Sequence, residues 1–167
     1  MDNKSSPLLS AFAGEAQATH RFLAYAKKAL SEAQPQIATL FRALAAAETV
    51  HAANHLRNSG EIKSTLENLT QSITEETLSA VTLYPQYRAL SQKEGNLGAE
   101  WSLSVAAQVE QIHIQLLQQA FNALQNHNTL PTVEYYVCQV CGHTIQETAP
   151  DKCPVCMAPR AQYLLIK

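Results

Sequence analysis

The chain has 167 residues, 46% of them hydrophobic and 16% charged, and its net charge is -2. That length suits one domain of ordinary size and a second, small one, and the composition excludes a disordered, solvated chain because it can fill a sizeable core. The 12 basic residues are scattered and form no stripe that could neutralise a phosphate backbone, so nucleic acid is not an expected partner.

Four long helices are predicted before residue 128, at about residues 6–34, 35–58, 64–94 and 98–126. Ser6 is expected to cap the first helix, with Pro7 at its first helical position. Ser64 and Glu67 have the spacing of a capping box at the start of the third helix. Pro85 should kink that third helix, because it cannot donate a backbone hydrogen bond.

The helices and the C-terminal segment predict two domains. Short connections between long helices favour antiparallel neighbours, so residues 1–128 are expected to form a four-helix bundle. Residues 133–167 contain a β-rich stretch followed by Gly, Pro and Cys residues. A segment of this size rarely folds on a hydrophobic core alone, and its cysteines indicate that a metal ion stabilises it.

The cysteines and the apolar runs predict the environment of the protein. All four cysteines lie in the last 30 residues as two CxxC pairs, which favours metal thiolates in a reducing compartment over disulfides. No apolar run reaches the roughly 18 residues that span a bilayer, and the apolar residues near the N-terminus end at Glu15. We therefore expect neither a membrane anchor nor a signal peptide, and a cytoplasmic location.

Two ExxH motifs lie in apolar helical stretches, Glu48–His51 in the second helix and Glu110–His113 in the fourth. Residues three apart share one face of a helix, so the carboxylate and the imidazole of each motif can bind one metal ion. Single glutamates in the other two helices, Glu15 and Glu76, precede these motifs by 33 and 34 residues. The nearly equal spacing indicates an internally duplicated helix pair.

One Glu from each of two helices and one ExxH from each of the other two form the ligand pattern of carboxylate-bridged di-iron and di-manganese bundles. Four carboxylates balance the charge of two divalent ions in a low-dielectric core, whereas the metal-free set repels itself. Two bridged ions can share a two-electron reaction with dioxygen or peroxide. Surface glutamates with incidental histidines would explain one such motif, but they explain the repeated set poorly.

The two CxxC pairs predict a four-thiolate metal site. Each CxxC hairpin wraps two thiolates around one ion, and two hairpins complete a tetrahedron. Zinc and iron both accept this geometry, so a structural zinc site remains an alternative to an iron site. Gly142 follows the first pair and suits a turn with positive φ. Met157 stands at the equivalent place after the second pair, where a positive φ would cost some strain.

Taken together, these motifs resemble rubrerythrin over essentially the whole chain. FAGEAQATHRF, AAAETVHAANH, the TLYP segment and VEQIHIQ are similar to the four helix motifs of that family, and YYVCQVCGH and DKCPVCMAPR to its rubredoxin-like domain. The resemblance implies a mainly α fold, in which a ferritin-like four-helix bundle precedes a small β-rich rubredoxin-like domain. It also implies reduction of hydrogen peroxide to water, in defence against oxidative stress.

The resemblance assigns ligands to both metal sites. The implied ligands of two irons are Glu15, Glu48, His51, Glu76, Glu110 and His113. The implied ligands of one rubredoxin-like iron, for which zinc could substitute, are Cys138, Cys141, Cys153 and Cys156. Tyr84, in the TLYP segment, is either a hydrogen-bond donor in the catalytic centre or a buried aromatic residue.

Two residues depart from the motifs of the family. Ser79 stands where the family has a further glutamate three residues after the third helix's ligand, and that glutamate exchanges with the histidine of the second helix as one iron shifts. Its loss puts this shift in doubt and leaves a six-ligand site nearer to the ferritin type. Phe22 stands where the family tends to have Tyr, which removes one hydroxyl.

An iron with four thiolates is a one-electron carrier, so electrons are expected to pass from a reductase or a rubredoxin donor through the cysteine site to the bundle. The end of the fourth helix at Gln125 lies ~22 Å beyond Glu110 at ~1.5 Å per residue, which is long for fast electron transfer. A head-to-tail homodimer, familiar in the family, would shorten the path. Alternatively the linker folds back, since nine extended residues reach ~30 Å.

Two other functions compete with a peroxidase. The bundle could be a ferroxidase or an oxygen-reducing protein that handles iron, which the serine at position 79 favours. The chain could also be a non-enzymatic metal-binding protein, with zinc in the cysteine site and a bundle that docks a partner or sequesters iron.

Overall fold

The computed structural model describes residues 6–167 of the chain, which divides into two compact units, Met1–Lys63 and Ser64–Lys167. The first unit contains the helices α1 (Pro7–Ser31) and α2 (Pro35–Ser59). The second contains the helices α3 (Thr65–Leu78), α4 (Tyr84–Lys93) and α5 (Leu97–Gln125), followed by a three-stranded sheet. These bounds agree with the four predicted helical stretches, of which the third is divided into α3 and α4.

Helices α1 and α2 pack against each other along small side chains. Ala38, Ala45 and Ala52 of α2 recur every seven residues and are buried. Ala38 packs against Ala26 and Ala29 of α1. Small side chains let helix backbones approach closely, and a seven-residue repeat keeps one face of the helix turned to its neighbour. The alanine repeat therefore determines which face of α2 meets α1.

The capping box predicted at the start of the third helix is confirmed. The backbone N–H of Glu67 donates to the Ser64 hydroxyl at 3.3 Å, and the N–H of Ser64 donates to the Glu67 carboxylate at 3.2 Å. Ser6 directly precedes Pro7 at the start of α1, as predicted, but its side chain makes no capping hydrogen bond. Helix α2 ends at Ser59, and Gly60 follows with a φ of 80°, which costs glycine little.

A π-helical turn at Ser79–Leu83 joins α3 to α4. The N–H of Tyr84 donates to the carbonyl of Ser79, five residues back, in place of the usual four. Pro85 follows at once and has no N–H to donate. The interruption that Pro85 predicts in the third helix thus takes the form of a π turn on the N-terminal side of the proline.

The C-terminal segment forms a small antiparallel sheet with the strand order β2-β1-β3. Its strands are β1 (Tyr135–Cys138), β2 (Thr144–Gln146) and β3 (Tyr163–Ile166). Strand β1 pairs with β2 through Val137 opposite Thr144, and with β3 through Cys138 opposite Tyr163. The CxxC segment that contains Cys138 and Cys141 thus joins two paired strands.

The predicted class, a mainly α protein with a small β-rich C-terminal domain, is confirmed. The proposed division into domains at residues 1–128 and 133–167 stays a prediction. Within residues 6–167, none of the helices combines the length and the apolar character needed to cross a membrane.

Candidate metal centres

Three predicted ligands come together in the first unit, where ligand atoms of Glu15, Glu48 and His51 lie within 4.8 Å of one another. Glu15 belongs to α1, and the other two belong to the face of α2 that also carries Ala45 and Ala52. Nδ1 of His51 lies 2.8 Å from Oε2 of Glu48. The side chain of Glu48 is 20% exposed, whereas that of His51 is 55% exposed.

The second unit repeats this arrangement with Glu76 from α3 and with Glu110 and His113 from α5. Their ligand atoms also lie within 4.8 Å of one another, and Nδ1 of His113 is 2.9 Å from Oε2 of Glu110. The Glu110 and His113 side chains are 16% and 30% exposed. The sequence duplication therefore corresponds to two structurally similar Glu/Glu/His triads, one in each unit.

The pKa values of one glutamate in each triad are shifted in opposite directions. In the second, a hydrogen bond to Glu110, then burial, and then the charges of Glu110 and Glu75 raise the pKa of Glu76 to about 7. In the first, the hydrogen bond to His51 lowers the pKa of Glu48, while burial acts in the opposite direction. Two adjacent carboxylates require either a shared proton or a cation between them. The donor set of the second triad therefore fits a metal ion, whose binding would displace that proton.

Tyr84 lies beside the second triad, with its hydroxyl 3.5 Å from Oε1 of Glu110. Burial, and then the charge of Glu110, raise the pKa of Tyr84, so the phenol stays protonated at neutral pH and its proton can point to this carboxylate. Ser79 starts the π turn that separates Glu76 from Tyr84, and it is half-buried. A hydroxyl therefore occupies the position where the resemblance predicts a carboxylate.

Phe22, the other departure from the predicted motif, belongs to an aromatic cluster of the first unit. Its ring stacks on Phe41 with centroids 6.0 Å apart, and Tyr25 meets it edge-on at 6.4 Å. Offset and edge-on pairs of this kind stabilise a helix interface beyond the area they bury. Phe22 thus has a packing role that needs no hydroxyl.

The four cysteines form one cluster in the sheet domain. The sulfurs of Cys138 and Cys156 are 3.7 Å apart, and those of Cys141 and Cys153 are 3.5 Å apart. Four sulfurs at ~2.3 Å around a tetrahedral ion would be ~3.8 Å apart, so the cluster already has nearly the dimensions of a metal site. All four are free cysteines, and Cys138 and Cys153 are almost fully buried.

Hydrogen bonds prepare one of these thiols for ionisation. Burial acts to raise the pKa of Cys153, but donors from the Tyr163 hydroxyl and from the backbone N–H groups of Cys156 and Val155 outweigh it and lower that pKa to about 6. Burial raises the pKa of Cys141, although the N–H of His143 acts in the opposite direction. N–H and O–H donors aimed at sulfur stabilise thiolates, which are the form that binds metal.

The two CxxC turns contain positive φ angles at equivalent positions. Gly142 has a φ of 84° and Met157 a φ of 64°. Glycine adopts this conformation freely, whereas it is energetically unfavourable for a residue with a Cβ atom. The strain predicted at Met157 is confirmed.

The sheet domain packs against α5 within the second unit. Nε2 of His113 lies 3.2 Å from the Thr144 hydroxyl, which in turn donates to the carbonyl of Gly142 at 3.0 Å. One turn earlier on α5, Val109 lies 3.7 Å from the place a Cβ atom would take on Gly142. The linker therefore folds back and places the cysteine domain against α5 of the same chain.

Comparison with known families decides the assignment of the chain. The Rubrerythrin family model matches residues 7–121, and the model of the rubrerythrin rubredoxin-like domain matches residues 136–163. The chain belongs to the rubrerythrin family. The Glu/His triads offer the ligand types of a carboxylate di-iron site, and the cysteine cluster lies within the part that matches the rubredoxin-like domain.

Characterised rubrerythrins resemble the chain over most of its length. It is 29% identical to Rubrerythrin-2 of Clostridium acetobutylicum, over 89% of each chain, and 28% identical to nigerythrin of Nitratidesulfovibrio vulgaris, over 92% of this chain and 81% of nigerythrin. A structure of fully reduced, all-ferrous nigerythrin matches with a TM-score of 0.58 at 26% identity, covering 99% of this chain and 90% of that one. These likenesses confirm the predicted fold class and support an iron-handling redox function.

The structure brings together every residue predicted as a ligand, in three clusters, and adds residues that the sequence patterns did not single out. His143, Thr144 and Tyr163 each contact a predicted ligand or its hydrogen-bond partner. His143 follows Cys141 closely enough to attract notice in the sequence. The contacts of Thr144 and Tyr163 depend on the fold-back of the linker and on strand pairing, for which the sequence contains no local signal.

Proposed function

We propose that the chain is a peroxidase that reduces hydrogen peroxide to water, with electrons relayed through an iron in the cysteine site. Each Glu/Glu/His triad would supply three ligands to iron of a carboxylate di-iron centre. Iron held there would supply two electrons, which with two protons convert one hydrogen peroxide to two water molecules. The observation that carries the proposal is that the cysteine domain contacts His113, a ligand of the second triad.

The cysteine domain is built to pass single electrons. Its four sulfurs need move little when an ion binds, and backbone N–H donors already point at them. A carrier whose ligands stay in place changes oxidation state with little rearrangement. A reductase or a rubredoxin would donate the electrons, and reducing cytoplasm, where free thiols persist, is the proposed location.

A proton donor lies beside the second triad. The Tyr84 hydroxyl is 3.5 Å from Glu110, and its raised pKa keeps the phenol protonated at neutral pH. Tyr84 is therefore proposed as a hydrogen-bond donor to the carboxylate, which favours the first of its two predicted roles.

The proposed path for electrons lies within one chain. The Cys141–Gly142 turn, the Thr144 hydroxyl and His113 form a continuous series of covalent and hydrogen bonds. Electron transfer therefore does not by itself require a second subunit. The head-to-tail homodimer stays a prediction, which sedimentation of the purified protein would test.

The test of the peroxidase is metal analysis and a visible spectrum of anaerobically purified protein, followed by addition of hydrogen peroxide to the reduced form. About three irons per chain and rapid return of the ferric cysteine-site colour are expected. A cysteine site filled with zinc, or a reduced protein that peroxide does not oxidise, would contradict the proposal.

A ferroxidase or oxygen reductase is the second candidate, because Ser79 offers no carboxylate beside the second triad. Turnover with peroxide and with dioxygen, measured under the same electron supply, separates the two. Faster turnover with dioxygen would favour the ferroxidase.

A further inference from the structure

The Thr144 hydroxyl joins the cysteine domain to the helical metal ligands. We propose that Thr144 fixes the tautomer and the orientation of His113, so that the helical site of a chain binds metal tightly only when the cysteine domain is docked on α5. This inference rests on the proposed di-iron role of His113 and concerns a residue of the cysteine domain that binds no metal itself.

The direction of the hydrogen bonds follows from the number of protons available. A threonine hydroxyl has one proton, and that of Thr144 goes to the carbonyl of Gly142 at 3.0 Å, because a carbonyl oxygen can only accept. In the hydrogen bond of 3.2 Å between this hydroxyl and Nε2 of His113, the histidine must then be the donor. Nε2 of His113 therefore carries the proton.

A proton on Nε2 leaves the lone pair of a neutral imidazole on Nδ1. This Nδ1 lies 2.9 Å from Oε2 of Glu110, so two electron-pair donors face each other and a cation must bridge them, a proton when the site is empty and a metal ion when it is loaded. Histidine ligands of metals are generally held in this way, with the remote nitrogen donating to a protein oxygen. The oxygen in this case belongs to the other metal domain.

Packing around the contact restricts the histidine further. Val109, one turn before His113, is 3% exposed and lies against Gly142. Thr144 is held in β2, opposite Val137 in the strand pair. The docked surface thus contacts α5 at two successive turns, and the hydroxyl is presented by a strand and not by a free loop.

The first triad provides an internal comparison. Within residues 6–167, Nε2 of His51 has no hydrogen-bond partner, and the His51 side chain is 55% exposed against 30% for His113. The two histidines are therefore held unequally. His113 is preorganised for metal by the cysteine domain, and His51 is not.

The test compares Thr144→Val, which keeps the shape and removes the hydroxyl, with Thr144→Ser, which restores it. Thr148→Val, an exposed position of the same domain, is the matched control. The first readout is the ¹⁵N spectrum of the His113 imidazole in full-length protein with one equivalent of zinc in the cysteine site. The second is the affinity for manganese(II), measured by the loss of the free-ion EPR signal, since oxygen and imidazole ligands accept manganese better than thiolates do.

In the original protein and in Thr144→Ser, Nε2 of His113 should carry a proton that is hydrogen-bonded to the hydroxyl. Thr144→Val should lose the signal of that hydrogen bond and bind manganese about tenfold or more weakly, the usual effect of losing a partner of a ligating histidine. Thr148→Val should match the original protein in both readouts. An unchanged visible spectrum of the iron-loaded cysteine site shows that each variant is folded.

Thr144→Val with an unaltered Nε2–H signal and unaltered manganese affinity would overturn the inference. Neither readout uses peroxide, so a protein that fails as a peroxidase still tests it. Conversely, if the original protein binds no manganese, the di-iron proposal fails, while the Nε2–H signal of the metal-free helical site still decides the role of Thr144.

Discussion

Nδ1 of His143 lies 2.7 Å from the hydroxyl of Tyr163, and the two rings meet edge-on with centroids 5.9 Å apart. Burial, and then the nearby His113, lower the pKa of His143, so the ring is neutral at pH 7. The Tyr163 proton goes to the sulfur of Cys153, and its oxygen therefore accepts from Nδ1–H of His143. A short chain of donors thus ends on one thiolate of the cysteine site.

Tyr163→Phe should lower the reduction potential of iron in the cysteine site. A donor to sulfur stabilises the ferrous form, which carries one more negative charge, so its loss favours the ferric form. A shift of up to about 40 mV is expected, the equivalent of about 1 kcal/mol for one electron. The measurement is a spectroelectrochemical titration.

Tyr135→Phe is the control for this potential, because its hydroxyl belongs to the same sheet but accepts from Gln146 and contacts no sulfur. The potential of this variant should not change. Equal potentials in Tyr163→Phe and the original protein would show that the hydroxyl does not donate to the thiolate.

Glu76→Gln should change how the stability of the metal-free protein depends on pH. The pKa of Glu76 is raised from 4.5 to about 7, so its contribution to stability is present below pH 4.5 and is lost as the pH rises to about 7. Glutamine cannot ionise. The free energy of unfolding of the variant, relative to that of the original protein, should therefore rise between pH 4.5 and 7 and level off above.

Urea unfolding of chelator-treated protein, followed by far-ultraviolet circular dichroism at several pH values, measures this difference. Glu94→Gln, at the exposed end of α4, should show no comparable pH dependence. A difference between Glu76→Gln and the original protein that is constant with pH would contradict the shared proton.

Met157→Gly should stabilise the cysteine domain by about 0.5–1 kcal/mol. Glycine removes the strain of a left-handed φ of 64°, and this gain exceeds the loss that comes from a more flexible unfolded chain. The Met157 side chain is 64% exposed, so little packing is lost. Gly142→Ala, at the equivalent turn, should act in the opposite direction. Denaturant unfolding of the zinc-loaded protein, followed by near-ultraviolet circular dichroism, compares the two, and a destabilised Met157→Gly would be contrary to expectation.

Ser79→Glu should raise turnover with hydrogen peroxide relative to dioxygen by several-fold. Ser79 has helical dihedral angles and is half-buried three residues after Glu76, so a carboxylate there lies on the same side of the helix as Glu76. Ser79→Gln adds the same bulk without the charge and should leave the ratio unchanged. If both variants change the ratio equally, side-chain size and not charge determines the preference.

The features that could be predicted from the sequence are those that depend on a few neighbouring residues. The capping box at Ser64 and the ExxH faces at Glu48 and Glu110 follow from hydrogen-bond and helix geometry over three or four residues. The same holds for the CxxC turns, including the strained φ at Met157. Each of these required no knowledge of where distant segments lie.

The unpredicted parts depend on contacts between segments far apart in the sequence. Thr144 meets His113 only because the linker folds back, and an extended linker would have satisfied the same local rules. The π turn at Ser79–Leu83 replaces an ordinary turn that the same residues could also form.

The π turn has a consequence for the register of the third helical stretch. Glu76 and Tyr84 both reach Glu110 although they are eight residues apart, a separation that in an α-helix would turn them about 80° from each other at ~100° per residue. The extra residue absorbed by the π turn reduces this to the angle of a seven-residue spacing, about 20°. Ser79–Leu83 thus behaves as a one-residue insertion, and removing one of its residues would leave the acid and the phenol on the same side of a regular helix.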